Sequence, residues 1–258
     1  MRDRIKRLIT ENRESRSPLI RWIIRSLYRT RDALHAVRRF GADGGFRAIV
    51  WLKAVRGRQL HQTTVLTWAD RYPAIFVAAQ AYFAHRPDIR ILSFGCSTGE
   101  EVVTLRYYFP QATIVGAEIN PRSLAVCKAR QLDARISFIP STPRRIRAAG
   151  PFDAIFCMAV LQRNPHMVES QGMTSLAEIY PFEKFDAQLT EFDVLLNPAG
   201  LLVVHHTQYV VDDAAIASRY SPVAEQPTPT VDGPRFDRSS QLITHPVATP
   251  SMYVKARM

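Results

Sequence analysis

A chain of 258 residues, 47% of them hydrophobic, can bury a full core and fits one domain with an appendage better than two equal domains. It contains no apolar run of 18 residues, which excludes a membrane-spanning helix, and no apolar stretch leading to a cleavage site follows its basic start, which argues against a secretory signal. The net charge of +11 lies wholly in residues 1–60, which hold 16 Lys and Arg against 5 Asp and Glu; the remainder is neutral, an arrangement that suits a docking arm or simple solvation better than a nucleic-acid substrate.

Residues 1–17 are polar and charged and form a loosely held start. From Pro18, Ile20, Ile23, Ile24, Leu27, Leu34 and Val37 recur at helical spacing while Arg21, Arg25, Arg29, Arg38 and Arg39 take other faces, which predicts a basic amphipathic helix ending near Gly41 and Gly44-Gly45. Three roles fit it: a cap with its apolar stripe buried, a contact of residues 18–40 with an anionic membrane surface anchored by Trp22, and, less favoured, a nucleic-acid contact. A second helix is predicted over Phe46 to Gln59 and a third from Tyr72 or Pro73 to Ala84. Thr63, Thr64 and the turn from Asp70 to Pro73 read most simply as caps and turns.

The stretch from Asp88 to Glu101 organises the rest of the chain. A short apolar strand stops at Gly95-Cys96-Ser97-Thr98-Gly99 and runs into a helix opened by Glu100 and Glu101. Gly95 and Gly99 let the backbone bend, and the amides opening the helix offer donors to a polar ligand. The spacing is neither G-x-G-x-x-G nor G-x-x-x-x-G-K-[ST], which disfavours a dinucleotide-dependent dehydrogenase and a P-loop NTPase. Ala112 to Glu118 reads as the second strand, closing on an acid 23 residues after Gly95, a spacing that puts a carboxylate at the carboxyl end of the neighbouring strand within ribose reach.

A helix from Arg122 to Leu132, a third strand over Ile136 to Ile139 and a short helix bearing Arg144, Arg145 and Arg147 on a solvated face come next. Phe152 to Met158 is the fourth strand, continuing into Ala159 to Arg163; residues 164–180 form a polar loop containing His166; and Phe182 to Leu196 is a helix. Asn197-Pro-Ala-Gly200 turns into a fifth strand, Leu201 to His206, whose two terminal histidines fall on opposite faces by strand alternation, so that at most one points easily into a site. Asp212 or Asp213 caps a short helix through Ser218, and Phe236 to Thr244 with Ser251 to Ala256 supply the last two strands. Cys96, Cys127 and Cys157 have no metal-ligand spacing and read as reduced, buried thiols of a cytoplasmic protein.

The G-C-S-T-G turn resembles motif I of class I S-adenosylmethionine-dependent methyltransferases, written L-D-x-G-x-G-x-G, with Ser93 where an acid is common and Ser97 in place of the middle glycine. G-C-S-T-G-E-E is also similar to the corresponding run of chemotaxis receptor methyltransferases. The Asn197-Pro-Ala-Gly turn and the strand closing on Cys157-Met158 resemble later motifs of the family in family order, over about residues 88–257. The signatures of base amino-group and cytosine C5 methylases are absent.

The resemblance implies an α/β fold, Rossmann-like, with a seven-stranded, mostly parallel sheet and helices on both faces. It divides the chain into a basic helical extension, 1–85, and a methyltransferase domain, 86–258. It implies S-adenosyl-L-methionine as cofactor, held by Gly95, Cys96, Ser97, Thr98, Gly99, Glu118, Ile119 and Met158, with no metal and with a small molecule as the acceptor. His205, His206, His166 and Tyr209 are the candidates for a general base. Protein carboxyl methylation of the chemotaxis type and a non-catalytic cofactor-binding scaffold are the alternatives; the expected location is cytoplasmic or peripheral at a membrane.

Overall fold

The computed structural model describes Trp22, Ser26, Thr30, Leu34 and residues 37–257 except 58, 63, 65 and 232. Two compact units divide it, Met1–Val55 and Arg56–Met258. In the first unit the described positions of the basic segment, including 37–42, are all helical, and Trp22, Leu34, Val37 and Phe40 are exposed. Ile20, Ile23, Ile24, Leu27 and the arginines at 21, 25 and 29 lie outside the described residues. Asp43 starts the next helix, α1 (Gly44–Arg56), by accepting the amides of Gly45 and Phe46 at 2.8 and 3.1 Å. Among the described residues no helix is long and apolar enough to cross a membrane.

The second unit alternates helix and strand: α2 (Pro73–Tyr82), β1 (Arg90–Phe94), α3 (Glu100–Tyr108), β2 (Thr113–Glu118), α4 (Pro121–Ala129), β3 (Ile136–Pro140), α5 (Pro143–Ala149), β4 (Phe152–Met158), α6 (Pro165–Ser170), α7 (Phe182–Leu195) and β5 (Leu196–His205). Two 3₁₀ turns, β6 (Tyr220–Pro222) and β7 (Met252–Lys255) complete it. The helices start where the sequence places a cap and a proline together: Asn120, Thr142 and Asn164 each accept an amide of the first turn, with Pro121, Pro143 and Pro165 next in line.

The strands form one seven-stranded sheet in the order β3-β2-β1-β4-β5-β7-β6. The first five are parallel, and β7 runs antiparallel to both β5 and β6. Strand alternation sorts the core into two layers. Leu92, Phe94, Val115, Ile155 and Leu202 pack with Ile146 of α5 and Phe185, Leu189 and Phe192 of α7, whereas Ile91, Ile114, Phe156 and Val203 pack with Phe76 of α2, Val102 and Leu105 of α3 and Cys127 of α4. The chain order reverses between β1 and β4, which opens a crevice at the carboxyl ends of those strands.

Several boundaries differ from the sequence expectation. Phe236 to Thr244 is not a strand; Phe236 and Leu242 make a single isolated bridge, and the edge strand comes from Tyr220–Pro222 in the proline-rich stretch, where edge position tolerates proline. The expected helix after Asp212 is two 3₁₀ turns, Val211–Asp213 and Ala217–Arg219. The polar loop 164–180 contains α6, and β5 begins five residues early, so that Asn197 to Gly200 lies within the strand at a register irregularity.

Asp193 at the end of α7 ties this antiparallel edge to the core. It is buried, accepts the hydroxyl of Tyr220 at 3.0 Å, and pairs with Arg219 at 3.0 Å and with the buried Lys255 ammonium at 3.3 Å. Removing the carboxylate alone leaves the Lys255 ammonium buried with only the Asp193 and Leu196 carbonyls, and Asp193→Ala is expected to cost about 3–5 kcal/mol. Urea unfolding checks this, and the double variant Asp193→Ala/Lys255→Met should recover a large part of the loss.

Candidate functional site

The loop after β1 concentrates the backbone turns at the crevice. Gly95, Ser97 and Gly99 all take left-handed conformations, at φ 74°, 52° and 95°. The loop is fastened from the neighbouring strand: the amides of Gly95 and Cys96 donate to the Ala117 carbonyl at 2.8 and 3.2 Å, and that of Ser97 donates to Glu118 Oε2 at 2.8 Å. Glu118 Oε1 accepts the amide of Asn120 at 2.6 Å, and the Glu118 carbonyl accepts Ser141 N from the end of β3 at 2.9 Å. Glu118 is 7% exposed, and burial lifts its pKa against the pull of the Asn120, Ser97 and Ile119 amides.

The glycines are required for a reason the motif alone does not convey. A Cβ on Gly95 would sit 2.6 Å from Cγ2 of Val160, and one on Gly99 would meet the Arg130 side chain at 3.2 Å and the Cys127 sulfur at 3.3 Å. Both glycines therefore admit protein neighbours, the segment after β4 and the end of α4. Arg130 spans this packing, donating to the Thr98 carbonyl at 2.6 Å and pairing with Glu100. Cys96 and Cys127 are buried and in mutual contact, with the Cys127 thiol donating to the Ser97 carbonyl at 3.1 Å.

The base candidates separate. His205 and His206 do not fall on opposite faces: His206 is left-handed at φ 51°, which breaks the alternation, and the two rings lie 4.5 Å apart and 4.7 and 5.3 Å from Tyr72. His205 Nδ1 meets Ser251 Oγ at 2.8 Å. Tyr209 is fully buried, donates to the Tyr180 carbonyl at 2.6 Å and is pushed up to about 12 by burial, which removes it as a base. His166 is an exposed residue of α6. Met158 closes β4, is buried and packs in the α2/α3 layer; Ile119 is half-buried, and its amide is one of the three that engage Glu118.

Three features at or near the crevice lie outside the candidate site residues read from the sequence, where Glu101 opens a helix and Arg71 and Tyr72 belong to a turn. Glu101, the second residue of α3, accepts the Ser93 hydroxyl at 2.7 Å. Tyr72 and Arg71 stand at the start of α2, with the Arg71 guanidinium 4.4 Å over the Trp68 ring and 5.0 Å over Tyr72. A cavity of about 310 Å³ opens between α5 and α7, lined by Phe94, Ser141, Ile146, Gln188 and Phe192 and closed on one side by His61. Burial drives His61 down to about 3, so it is a neutral ring bridging the Tyr180 hydroxyl at 2.9 Å and Gln188 Oε1 at 3.3 Å. Among the described residues no cluster of His, Cys, Asp and Glu could hold a metal.

Glu118 suits a hydroxyl-bearing ligand on this geometry. A carboxylate offers about four lone-pair directions, and three backbone amides engage it, so at least one remains for an incoming donor without loss of an internal bond.

Residues 91–184 match the family model for a methyltransferase domain, a segment that runs from β1 through the loop, Glu118 and β4 to the start of α7. The trans-aconitate 2-methyltransferase of Deinococcus radiodurans is 34% identical over 86 residues, which is 33% of this chain, and the chain thus spans about a third (32%) of that protein's length. Among solved structures, a SAM-bound amino pentose methyltransferase from Micromonospora echinaspora shares 24% identity over 63% of this chain and 58% of that one, at a TM-score of 0.37. The plantazolicin methyltransferase BpumL shares 14% over 64% and 54%, at 0.38.

The fit of Val160 against Gly95 can be tested directly. Gly95→Ala places a methyl in a 2.6 Å contact on a left-handed residue. It should cost about 1–3 kcal/mol of stability. Combining it with Val160→Ala, which removes the colliding methyls, should return part of that cost in chemical denaturation and leave only the backbone strain.

Proposed function

We propose that this chain, a class I methyltransferase by the domain at residues 91–184 and the order of its sheet, transfers a methyl group from S-adenosyl-L-methionine to a small-molecule acceptor. The observation that carries the reading is Glu118. A desolvated carboxylate, still able to accept, closes β2 beside a loop of three left-handed residues at the switch point of a parallel sheet, where nucleoside ligands of such folds are held.

When bound, the cofactor supplies an activated sulfonium methyl, so the chain's own residues have mainly to orient, exclude water and hold a proton. Glu118 accepts a ribose hydroxyl, the backbone of Gly95 to Gly99 lines the approach, and Ile119 and Met158 contribute apolar surface on either side. The acceptor enters on the other side of the crevice, against Tyr72, His205 and His206, the aromatic cluster where β5 ends and α2 begins. A protic acceptor needs a base, and His205, oriented through Ser251, is the residue assigned to it, with His206 beside it.

Two measurements test this. Incubation of the full chain with labelled cofactor and a metabolite extract should give a small-molecule product heavier by one methyl group. Label found instead in alkali-labile protein esters would favour carboxyl methylation, and no transfer at all would favour the non-catalytic scaffold. Glu118→Gln keeps one acceptor and should weaken S-adenosylhomocysteine by about ten- to hundredfold in calorimetry. Because Glu118 also holds three backbone amides, the control is the 2′-deoxy or 3′-deoxy ligand: for whichever lacks the contacted hydroxyl, the variant should lose little further affinity. Equal losses for all three ligands would place the effect in the loop and not in the ribose contact.

A further inference from the structure

All three tryptophans of the chain fall within its first 68 residues, and none is buried: Trp22 is 66% exposed, Trp51 46% and Trp68 49%. The Arg71 guanidinium lies over the Trp68 ring at 4.4 Å. The other two belong to the first unit, where Leu34, Val37 and Phe40 are exposed as well. A single exposed apolar side chain needs no explanation, whereas a set of them on one helix face marks a contact surface.

α1 carries such a set. Its one buried residue is Leu52, with Ile49 and Arg56 half-buried on the same face. Val50, Trp51, Ala54 and Val55 recur at spacings of three and four on the opposite face, all exposed, with Arg47 and Lys53 exposed beside them. α1 contains no acidic residue. Across residues 33–69 the sole acid is Asp43, set against six Lys and Arg. Asp43 is already engaged, accepting the two amides that open α1 and pairing with Arg39 at 3.3 Å. Arg38 and Lys53 make no ion pair among the described residues.

The apolar stripe and the unpaired bases together select the partner. A nucleic acid would engage the bases through its phosphates and leave Val50, Trp51 and Val55 in water. A second copy of this chain would bring like charge against like. An anionic bilayer satisfies both features, because its headgroups take the bases while the headgroup and acyl boundary takes the aliphatic residues and tryptophan. At 13 residues α1 is too short to cross a bilayer and suits a helix lying in its surface.

We propose that the first unit docks this protein on an anionic lipid surface, with Val50, Trp51 and Val55 of α1 inserting at the interface and Arg38 and Lys53 meeting the headgroups. The docking is independent of the cofactor reading above and concerns a different part of the chain.

Flotation of the full chain with vesicles tests it. Vesicles of phosphatidylglycerol and phosphatidylcholine in equal parts should carry the protein, and phosphatidylcholine alone should bind it at least about tenfold more weakly. Brominated acyl chains in the anionic vesicles should quench tryptophan emission; in Trp68→Phe the only emitters are Trp22 and Trp51, so that quenching reports the first unit. Val50→Ser/Trp51→Ser alters exposed residues and should weaken binding by about tenfold or more. Arg38→Gln/Lys53→Gln should weaken it by about twenty- to thirtyfold, each base near an anionic surface contributing about fivefold, and high salt should erase most of that difference.

No binding of the wild type to anionic vesicles overturns the proposal without recourse to a variant. Equal binding to both vesicle types, binding without quenching by the brominated chains, or indifference to both double variants overturns it too. A preference for a double-stranded DNA oligonucleotide over anionic vesicles at the same salt would assign the segment to nucleic acid instead. A dimer in sedimentation that Val50→Ser/Trp51→Ser turns into a monomer would give the face to a second copy, and either result also overturns the proposal.

Discussion

One contact holds the crevice in shape: the amide of Ser97 donating to the carboxylate of Glu118. It joins the loop after β1 to the end of β2, and with the Ala117 carbonyl receiving two more loop amides it forces the chain through three left-handed residues before α3 can begin. α3 accordingly starts from Gly99, with no side-chain cap, and the acids in its first turn take over the favourable interaction with the helix dipole. Val160 locks the other edge, because the segment after β4 closes onto Gly95 at a distance no side chain there would allow. The carboxyl ends of β1, β2 and β4 are thus fixed together before any ligand arrives, and a site preorganised in this way does not spend binding energy on ordering itself.

The same packing explains what was legible in the sequence. The strand-turn-helix at Gly95 and the strand closing on Glu118 announce themselves because their signals are local: an apolar run, a glycine, an acid at a fixed separation. The parallel core was readable for the same reason, since strands buried on both faces appear as continuous apolar runs such as Ile155-Phe156-Cys157. The antiparallel edge was not. β6 is three residues containing a proline, and its hold on the sheet comes from Asp193, Arg219, Tyr220 and Lys255, groups brought together by the fold across more than sixty positions.

The site residues divide along the same line. Strand alternation predicts that His205 and His206 diverge, and the left-handed turn at His206 defeats that rule; histidine is enriched at positive φ among non-glycine residues but adopts it in only a small minority of positions, so its identity does not announce the turn. Glu101 reads in the sequence as an ordinary first-turn acid, and its hydrogen bond from the Ser93 hydroxyl appears only in the fold. Tyr209 has the converse history, a polar tip that resembles a base in sequence and is consumed inside the core by Tyr180 and Ser240. Local chemistry identifies candidate groups, and long-range packing decides which of them face the crevice.

The central claim is that a nucleoside-bearing cofactor lies along the carboxyl edge of the sheet with its ribose on Glu118. A crystal structure of the full chain with S-adenosylhomocysteine tests it most directly. A ribose hydroxyl is expected within hydrogen-bonding distance of a Glu118 carboxylate oxygen, with the nucleoside seated over the Gly95 to Gly99 backbone. A ligand seated instead in the cavity between α5 and α7, with the Glu118 carboxylate contacting only the backbone amides it already holds, would contradict it.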